Sequence, residues 1–139
     1  MKKIGIFLAL LFVVCIAGNV HACYISPVAT LPLYSDKTAN YSITTNECRG
    51  TTFTNTGDVD ANRGDLPNIT AIGQRVCFLL TVAQDMDVNP DDSGKILVLT
   101  SDAGDAVSSD AIIGSKLCLE AVSLTQWFPT YVGVWTDAN

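Results

Sequence analysis

The sequence predicts an all-β fold, a single β-sandwich or jelly-roll-like domain of about seven to nine short strands. Three observations lead to this class. No window combines a helical repeat of apolar residues with good helix formers. Several segments rich in β-branched and aromatic residues alternate in polarity between turn-forming stretches. The cysteine pattern also suits a small domain that is cross-linked by disulfides.

Two nearly matching segments organise the chain, residues 72–78 and residues 113–119. Each reads Ile-Gly, a polar residue, a base, an aliphatic residue, a cysteine and a large apolar residue. The glycine permits a bend into the strand, and the cysteine falls at the same pleat position in both segments. The match therefore predicts a disulfide between Cys77 and Cys118.

The other strands follow from alternation and turn residues. In the first strong strand, Val76, Phe78 and Leu80 should point to one side and Cys77 and Leu79 to the other, with both faces largely buried. Residues 23–33 contain prolines and predict an edge strand or polyproline arm. The predicted strands are residues 41–45, 50–54 (its hairpin partner), 69–83 and its continuation 86–89, 95–100, 111–124 and 131–136. The predicted polar turns and loops are residues 34–40, 56–68, 90–94 and 101–110.

Residues 1–22 have the pattern of a cleaved signal peptide: Lys2 and Lys3, an apolar run, and small residues before Cys23. The apolar run is shorter than the ~20 residues that a membrane span needs. We expect residues 23–139 to form one domain that is secreted, periplasmic or displayed on the cell surface. Lipidation of Cys23 is the alternative that this boundary leaves open.

After cleavage four cysteines remain, Cys23, Cys48, Cys77 and Cys118. An even number in an exported chain is typical of disulfides, and four cysteines allow three pairings. We expect Cys23–Cys48 together with Cys77–Cys118.

The charge and the histidine content limit the function classes. The net charge is −6, and it becomes −8 when Lys2 and Lys3 leave with the signal. Such a surface repels phosphate backbones, so we expect no nucleic-acid partner. The single histidine, His21, lies in the signal, which removes imidazole-based triads and zinc sites from the exported chain. We therefore expect a protein that is not an enzyme and that has no resident cofactor.

Acidic residues at alternate positions mark two candidate cation sites. One comprises Asp58, Asp60, Asn62 and Asp65, and the other Asp85 and Asp87. Neither completes an EF-hand loop, which needs a glycine at position six and a glutamate at position twelve. Calcium is thus an alternative that we keep open.

Four aromatic residues crowd the C-terminal region, Trp127, Phe128, Tyr131 and Trp135. Exposed aromatic rings could stack on sugar rings, whereas buried ones would close the core. Both readings stay open at this point.

The C-terminal part resembles the closing segment of β-rich bacteriophage virion and tail-surface proteins. The resemblance rests on residues 114–119, on Trp127 and on the Gly-Val-Trp-Thr-Asp of residues 133–137, and it extends over residues 73–139. It implies a self-associating or surface-displayed β module. The signal peptide and the paired cysteines depart from that pattern.

We therefore predict an exported contact protein, a structural or decorating subunit of an extracellular assembly or an adhesin-like module. Its partner would be another protein or a second copy, with the apolar arm at residues 24–33 docking on a neighbour's sheet edge. The alternative is a calcium-assisted carbohydrate-binding module.

Overall fold

A computed structural model of the chain describes residues 33–56 and 62–138, which belong to one compact unit. Those residues form eleven strands and no helix. The strands are β1 (Tyr34–Lys37), β2 (Tyr41–Ser42), β3 (Arg49–Asn55), β4 (Asn62–Asp65), β5 (Arg75–Leu80), β6 (Met86–Asn89), β7 (Lys95–Ile96), β8 (Val107–Ser109), β9 (Lys116–Ala121), β10 (Gln126–Val132) and β11 (Trp135–Asp137). The predicted signal peptide and all of the N-terminal arm except Leu33 lie outside the described residues. The carbonyl of Leu33 accepts a hydrogen bond from the N–H of Thr52 at 2.7 Å.

The strands form two sheets whose inner faces enclose one core. The six-stranded sheet has the order β1-β3-β5-β9-β10-β7, and the five-stranded sheet has the order β11-β8-β6-β4-β2. Buried apolar residues from both sheets form one cluster. The predicted all-β class and the two-sheet arrangement are confirmed.

The first six strands form a parallel stack. The chain alternates between the sheets, so that β1, β3 and β5 pair in parallel in one sheet while β2, β4 and β6 do so in the other. This differs from a jelly roll, in which neighbouring strands run antiparallel. The apolar pattern of a strand reports which faces are buried and not the direction of its neighbours, so the sequence carried no signal for this topology.

The later strands pair mostly antiparallel. Strand β9 lies antiparallel between β5 and β10, and β8 lies antiparallel between β6 and β11. The exception is β7, which pairs in parallel with β10 at the edge of the larger sheet. The parallel stack therefore meets the antiparallel strands between β5 and β9, at the centre of the six-stranded sheet, and between β6 and β8 in the smaller sheet.

The core has the composition that the alternation predicts. Val76, Phe78 and Leu80 are fully buried on the inner side of β5. The ring of Phe53 lies between those of Phe78 and Tyr41, at centroid distances of 5.9 and 5.2 Å. These side chains supply much of the apolar burial that stabilises the stack.

Several strand boundaries differ from the sequence predictions. The predicted turn at residues 34–40 contains β1, and the predicted loops at residues 56–68 and 101–110 contain β4 and β8. Residues 41–45 and 50–54 were expected to pair as a hairpin, but β2 and β3 belong to different sheets. These short strands form because their backbones bond to neighbouring strands. A polar segment of three or four residues has no alternation of apolar and polar side chains from which such pairing could be predicted. They raise the number of strands above the expected seven to nine.

Buried asparagines stabilise the corners where the chain passes between the sheets. The Oδ1 of Asn55 accepts hydrogen bonds from the backbone N–H of Thr81 (2.7 Å) and of Val82 (3.2 Å), and its Nδ2 donates to the carbonyls of Val82 and Gln84. Asn62 likewise donates from Nδ2 to the carbonyl of Lys37 at 3.2 Å. Each side-chain amide bonds to backbone N–H or C=O groups at a point where the chain turns away from the sheet.

Candidate functional site

The Cys77–Cys118 disulfide lies at the centre of the six-stranded sheet. The two residues are directly opposite one another in the β5–β9 register, with a Cα–Cα distance of 4.1 Å. This distance is close to that of a non-hydrogen-bonded antiparallel pair, where side chains approach most closely. The predicted bond between these cysteines is confirmed.

The two matching segments enclose the disulfide in a nearly symmetric way. The N–H of Gly73 donates to the carbonyl of Ala121 at 2.8 Å, and the N–H of Gly114 donates to the carbonyl of Leu80 at 2.9 Å. Both glycines have positive φ, +88° and +91°, which other residues rarely adopt. The glycine before each strand thus bonds to the last residue of the other strand, Ala121 of β9 or Leu80 of β5. The repeated sequence pattern reflects this local two-fold relation.

Three bases lie on the outer face of this sheet. Arg49 and Arg75 are neighbours across the parallel β3–β5 pair, and Lys116 lies on the adjacent β9. Arg75 is also directly opposite Glu120. In the part of the chain that the structure describes, the ion pair within 4.0 Å joins Arg63 to Asp65 on the other sheet. None of the three bases therefore has a carboxylate of the described residues at ion-pair distance.

A shallow hollow of about 180 Å³ opens on the same face beside the disulfide. It is lined by Arg75, Lys116, Cys118, Thr130, Tyr131 and Val132. The register places the side chains of Thr130 and Val132 on the face of Cys118 and Lys116, whereas Tyr131 lies opposite the inward-facing Leu117. The bases and Thr130 were not singled out from the sequence. The signal was present, because a base stands two residues before the cysteine in both matching segments.

One end of the six-stranded sheet exposes four β-branched aliphatic residues. Ile112 and Ile113 precede β9, while Val132 ends β10 and Val134 follows it, and all four are more than half exposed. The two turns that carry them touch, since Ser115 packs against the backbone of Gly133 and leaves no room there for a side chain. We call these four residues the apolar end.

The structure separates the four C-terminal aromatic residues. Trp127 and Trp135 are buried in the core, so neither presents an open ring face. Phe128 and Tyr131 lie on the surface, and Tyr131 lines the hollow. A role in ligand contact stays a prediction for these two.

The candidate cation-binding residues are dispersed or engaged. Asp58 and Asp60 lie outside the described residues, and Asn62 is buried with its amide on Lys37. Asp65 accepts hydrogen bonds from Arg63 Nε at 2.7 Å and from Asn89 Nδ2 at 3.2 Å. Within residues 33–56 and 62–138, no three His, Cys, Asp or Glu side chains are grouped so that they could hold a metal ion.

The second acidic candidate lies along β6. Asp87 faces Ser108 in the strand register and lies next to Arg63 on β4, and Asp85 precedes the strand. The carbonyl of Asp85 accepts the N–H of Asn62 at 3.3 Å, which is a structural role for the backbone and not for the carboxylate. Calcium binding therefore stays a prediction.

Cys48 is buried and forms no disulfide within the described residues. Burial raises the pKa of the Cys48 thiol to about 11, and the negative charge of Glu47 adds to the effect. A thiol that stays protonated at neutral pH is a poor nucleophile. Its predicted disulfide partner, Cys23, lies outside the described residues, so the second disulfide stays a prediction.

The carboxyl group of Glu47 has its own local partners. Its Oε2 accepts hydrogen bonds from the backbone N–H and the hydroxyl of Thr44, both at 2.8 Å. The backbone bond is the main reason that the pKa of Glu47 is lowered, and Lys37 contributes more weakly. Glu47 therefore stays ionised at neutral pH and closes a turn.

No helix in the described parts of the chain is long and apolar enough to cross a membrane. Comparison with known proteins found no family model that matches the chain and no curated protein that is significantly similar to it. The resemblance to bacteriophage surface modules stays a prediction.

Proposed function

We propose that the protein acts by contact, as a structural or decorating subunit of an assembly outside the cytoplasm or as an adhesin-like module. Its first partner would be a second copy of the chain. The observation that carries the proposal is the apolar end, where Ile112, Ile113, Val132 and Val134 are exposed together. Apolar groups that are concentrated on a surface in this way are typical of interaction sites.

The position of the apolar end supports a contact role. Its residues flank β9 and β10, two strands of the disulfide-linked sheet, and their turns are short and packed against each other. Side chains that are held on a rigid support lose little conformational entropy when a partner covers them. β-Branched residues lose less side-chain entropy than long unbranched ones, because χ1 is already restricted.

Two further observations agree with an extracellular assembly. The chain contains a disulfide, and disulfides persist in oxidising compartments. The resemblance of residues 73–139 to phage surface modules also implies self-association. The arm at residues 24–33, of which the structure describes only Leu33, would supply a second contact on the neighbour.

The test is the mass of the purified exported protein in solution, measured by size-exclusion chromatography with light scattering over a range of concentrations. We expect an oligomer that becomes monomeric when Ile112→Ser, Ile113→Ser, Val132→Thr and Val134→Thr are combined. The matched control combines Ile72→Ser with Leu124→Ser, two exposed apolar residues at the opposite end of β5 and β9. It should leave the mass unchanged.

Two outcomes would count against the proposal. The wild-type protein could be monomeric at every concentration, in which case no self-contact exists. Alternatively, both sets of substitutions could dissociate the oligomer equally, and the apolar end would then have no special role.

A further inference from the structure

The first turn of the parallel stack, β1 and β2, leaves an open edge in each sheet. β1 is the last strand of the larger sheet and β2 the last strand of the smaller one. The carbonyls of Leu33 and Lys37 accept backbone N–H groups of β3 and of the residue that follows it, at 2.7 and 3.1 Å. In a parallel ladder the residues between them alternate, so the backbone groups of Tyr34 and Asp36 point to the side on which no described strand lies. Such groups can take up a strand of another chain.

The side chains that point between the sheets become more polar toward β1. Two rows cross the larger sheet from β5 through β3 to β1, namely Phe78–Phe53–Ser35 and Leu80–Asn55–Lys37. Each row begins with a fully buried apolar residue and ends with a half-buried polar one. β1 therefore offers a further strand a hydroxyl and an ammonium group where β5 offers apolar side chains.

The ammonium group of Lys37 covers the aromatic rings at this end of the core. Its Nζ lies 5.0 Å from the centroid of the Tyr41 ring on β2 and 5.3 Å from that of Phe53 on β3. A cation is attracted to a ring face at these distances. The backbone of Lys37 is also fixed, because its carbonyl accepts the N–H of Thr56 at 3.1 Å and the Nδ2 of Asn62 at 3.2 Å. The structure thus holds a positive charge between the two sheets at their open edges.

We infer that Lys37 closes the open end of the parallel stack against a strand of another chain. The residue is only half-buried, so its ammonium group still reaches water at the edge. A strand paired with β1 would cover the ammonium group, and no carboxylate of the described residues lies within 4.0 Å to compensate its charge. Inward-pointing charges protect edge strands in this way. This role of Lys37 does not depend on the apolar end.

Hydrogen exchange of single amides, followed by NMR, tests the edge in the wild-type protein. We expect the amides of Tyr34 and Asp36 to exchange rapidly at every protein concentration, because no strand covers that side of β1. The amides of Ser35 and Lys37, which face β3 in the ladder, should be protected. Protection of Tyr34 and Asp36 would overturn the inference, because β1 would then already be paired with another segment.

The charge itself is tested by Lys37→Met, which keeps an unbranched apolar side chain and removes the ammonium group. The change is made in the chain that already carries the four substitutions of the apolar end, so that association through that surface is absent. Light scattering should then show association with a dissociation constant at least about tenfold lower than without Lys37→Met, since pairing no longer buries a charge. The amides of Tyr34 and Asp36 should become protected at the same time.

Two control variants separate charge from position. Lys37→Arg keeps the charge at the edge, and Lys116→Met makes the same change on the outer face of β9, so neither should alter the mass. An unchanged mass for Lys37→Met, or equal association of Lys116→Met, would overturn the inference. The wild-type exchange result decides the matter where a variant fails to fold. A wild-type protein that is monomeric at every concentration would contradict the proposed function and leave these expectations unaltered.

Discussion

The parallel stack of β1 to β6 and the antiparallel strands β8 to β11 share one core, but they are held together differently. In the stack the chain crosses between the sheets after each strand, and buried asparagine side chains satisfy the backbone at those corners. Among β8 to β11 the chain crosses between the sheets before β9 and after β10, whereas β9 and β10 are joined directly by a short turn, and a covalent bond links β9 to the stack.

The comparison shows that side-chain hydrogen bonds stabilise the parallel stack, whereas a disulfide fixes the antiparallel strands beside it. Parallel pairing needs long crossings, and each crossing exposes backbone groups that side chains must satisfy. Antiparallel pairing satisfies its backbone locally, but β9 must still be fixed at the correct register beside β5. The Cys77–Cys118 bond supplies that register where the two arrangements meet in the larger sheet, and in the smaller sheet they meet between β6 and β8. Substitutions should therefore have different consequences in the two parts.

The largest effect is expected for the core of the parallel stack. Phe53→Ala removes a fully buried ring that packs between Tyr41 and Phe78, and the resulting cavity should lower the free energy of unfolding by about 3–5 kcal/mol. Urea denaturation followed by circular dichroism measures this. Phe128→Ala, on the exposed side of β10, is the matched control, and a similar loss there would contradict the assignment of the core.

The next effect concerns the antiparallel part. Replacement of Cys77 and Cys118 together by serine removes a link across 41 residues of sequence. It should cost about 3–4 kcal/mol through the entropy of the unfolded chain. Reduction of the wild-type protein should give a similar loss in the same urea assay. An unchanged unfolding midpoint in both experiments would show that the link does not hold the register.

A smaller loss is expected at a corner of the stack. Asn55→Ala would leave the partly buried N–H groups of Thr81 and Val82 without their acceptor, at a cost of about 1–2 kcal/mol. Asn40→Ala is the control, because its Oδ1 accepts a single hydrogen bond from Arg63 at an exposed position. If the two substitutions cost the same in thermal denaturation, the corner does not depend on the buried amide.

The smallest effect is a gain in stability. Val98 is an exposed β-branched residue with φ of +60°, a conformation that costs such residues free energy. Val98→Gly should relieve this and raise the free energy of unfolding by about 0.5–1 kcal/mol. Val122→Gly, at an exposed position without positive φ, should lower it by a similar amount. A loss of stability at both positions would contradict the strained conformation.

The sequence was informative where local patterns decide the structure. Alternation placed Val76, Phe78 and Leu80 in the core, and the repeated glycine-to-cysteine pattern led to the Cys77–Cys118 bond. Strand direction could not be predicted, because β5 is apolar on both faces whichever way its neighbours run. The role of Asn55 could not be predicted either, because no pattern in the residues around it indicates that its side chain bonds to Thr81, 26 residues away.

For the candidate sites, too, the sequence indicated which residues to consider but not how the fold arranges them. The clustering of Trp127, Phe128, Tyr131 and Trp135 was visible in the sequence, but strand register decides which of them are buried, and register depends on the whole sheet. The bases of the hollow were visible as a repeated position before each cysteine. Their convergence on one hollow required the antiparallel pairing of β5 with β9.

The most direct test of this account is peptide mapping of the purified protein, digested without reduction after its free thiols have been blocked. The account predicts one peptide pair that joins Cys77 to Cys118, and its disappearance after reduction. Whether Cys48 is found as a blocked thiol or joined to Cys23 is a separate result that leaves this prediction unaffected. A blocked thiol at Cys77 or Cys118 in most of the molecules, or either residue joined to a different cysteine, would contradict the central position of this bond in the fold.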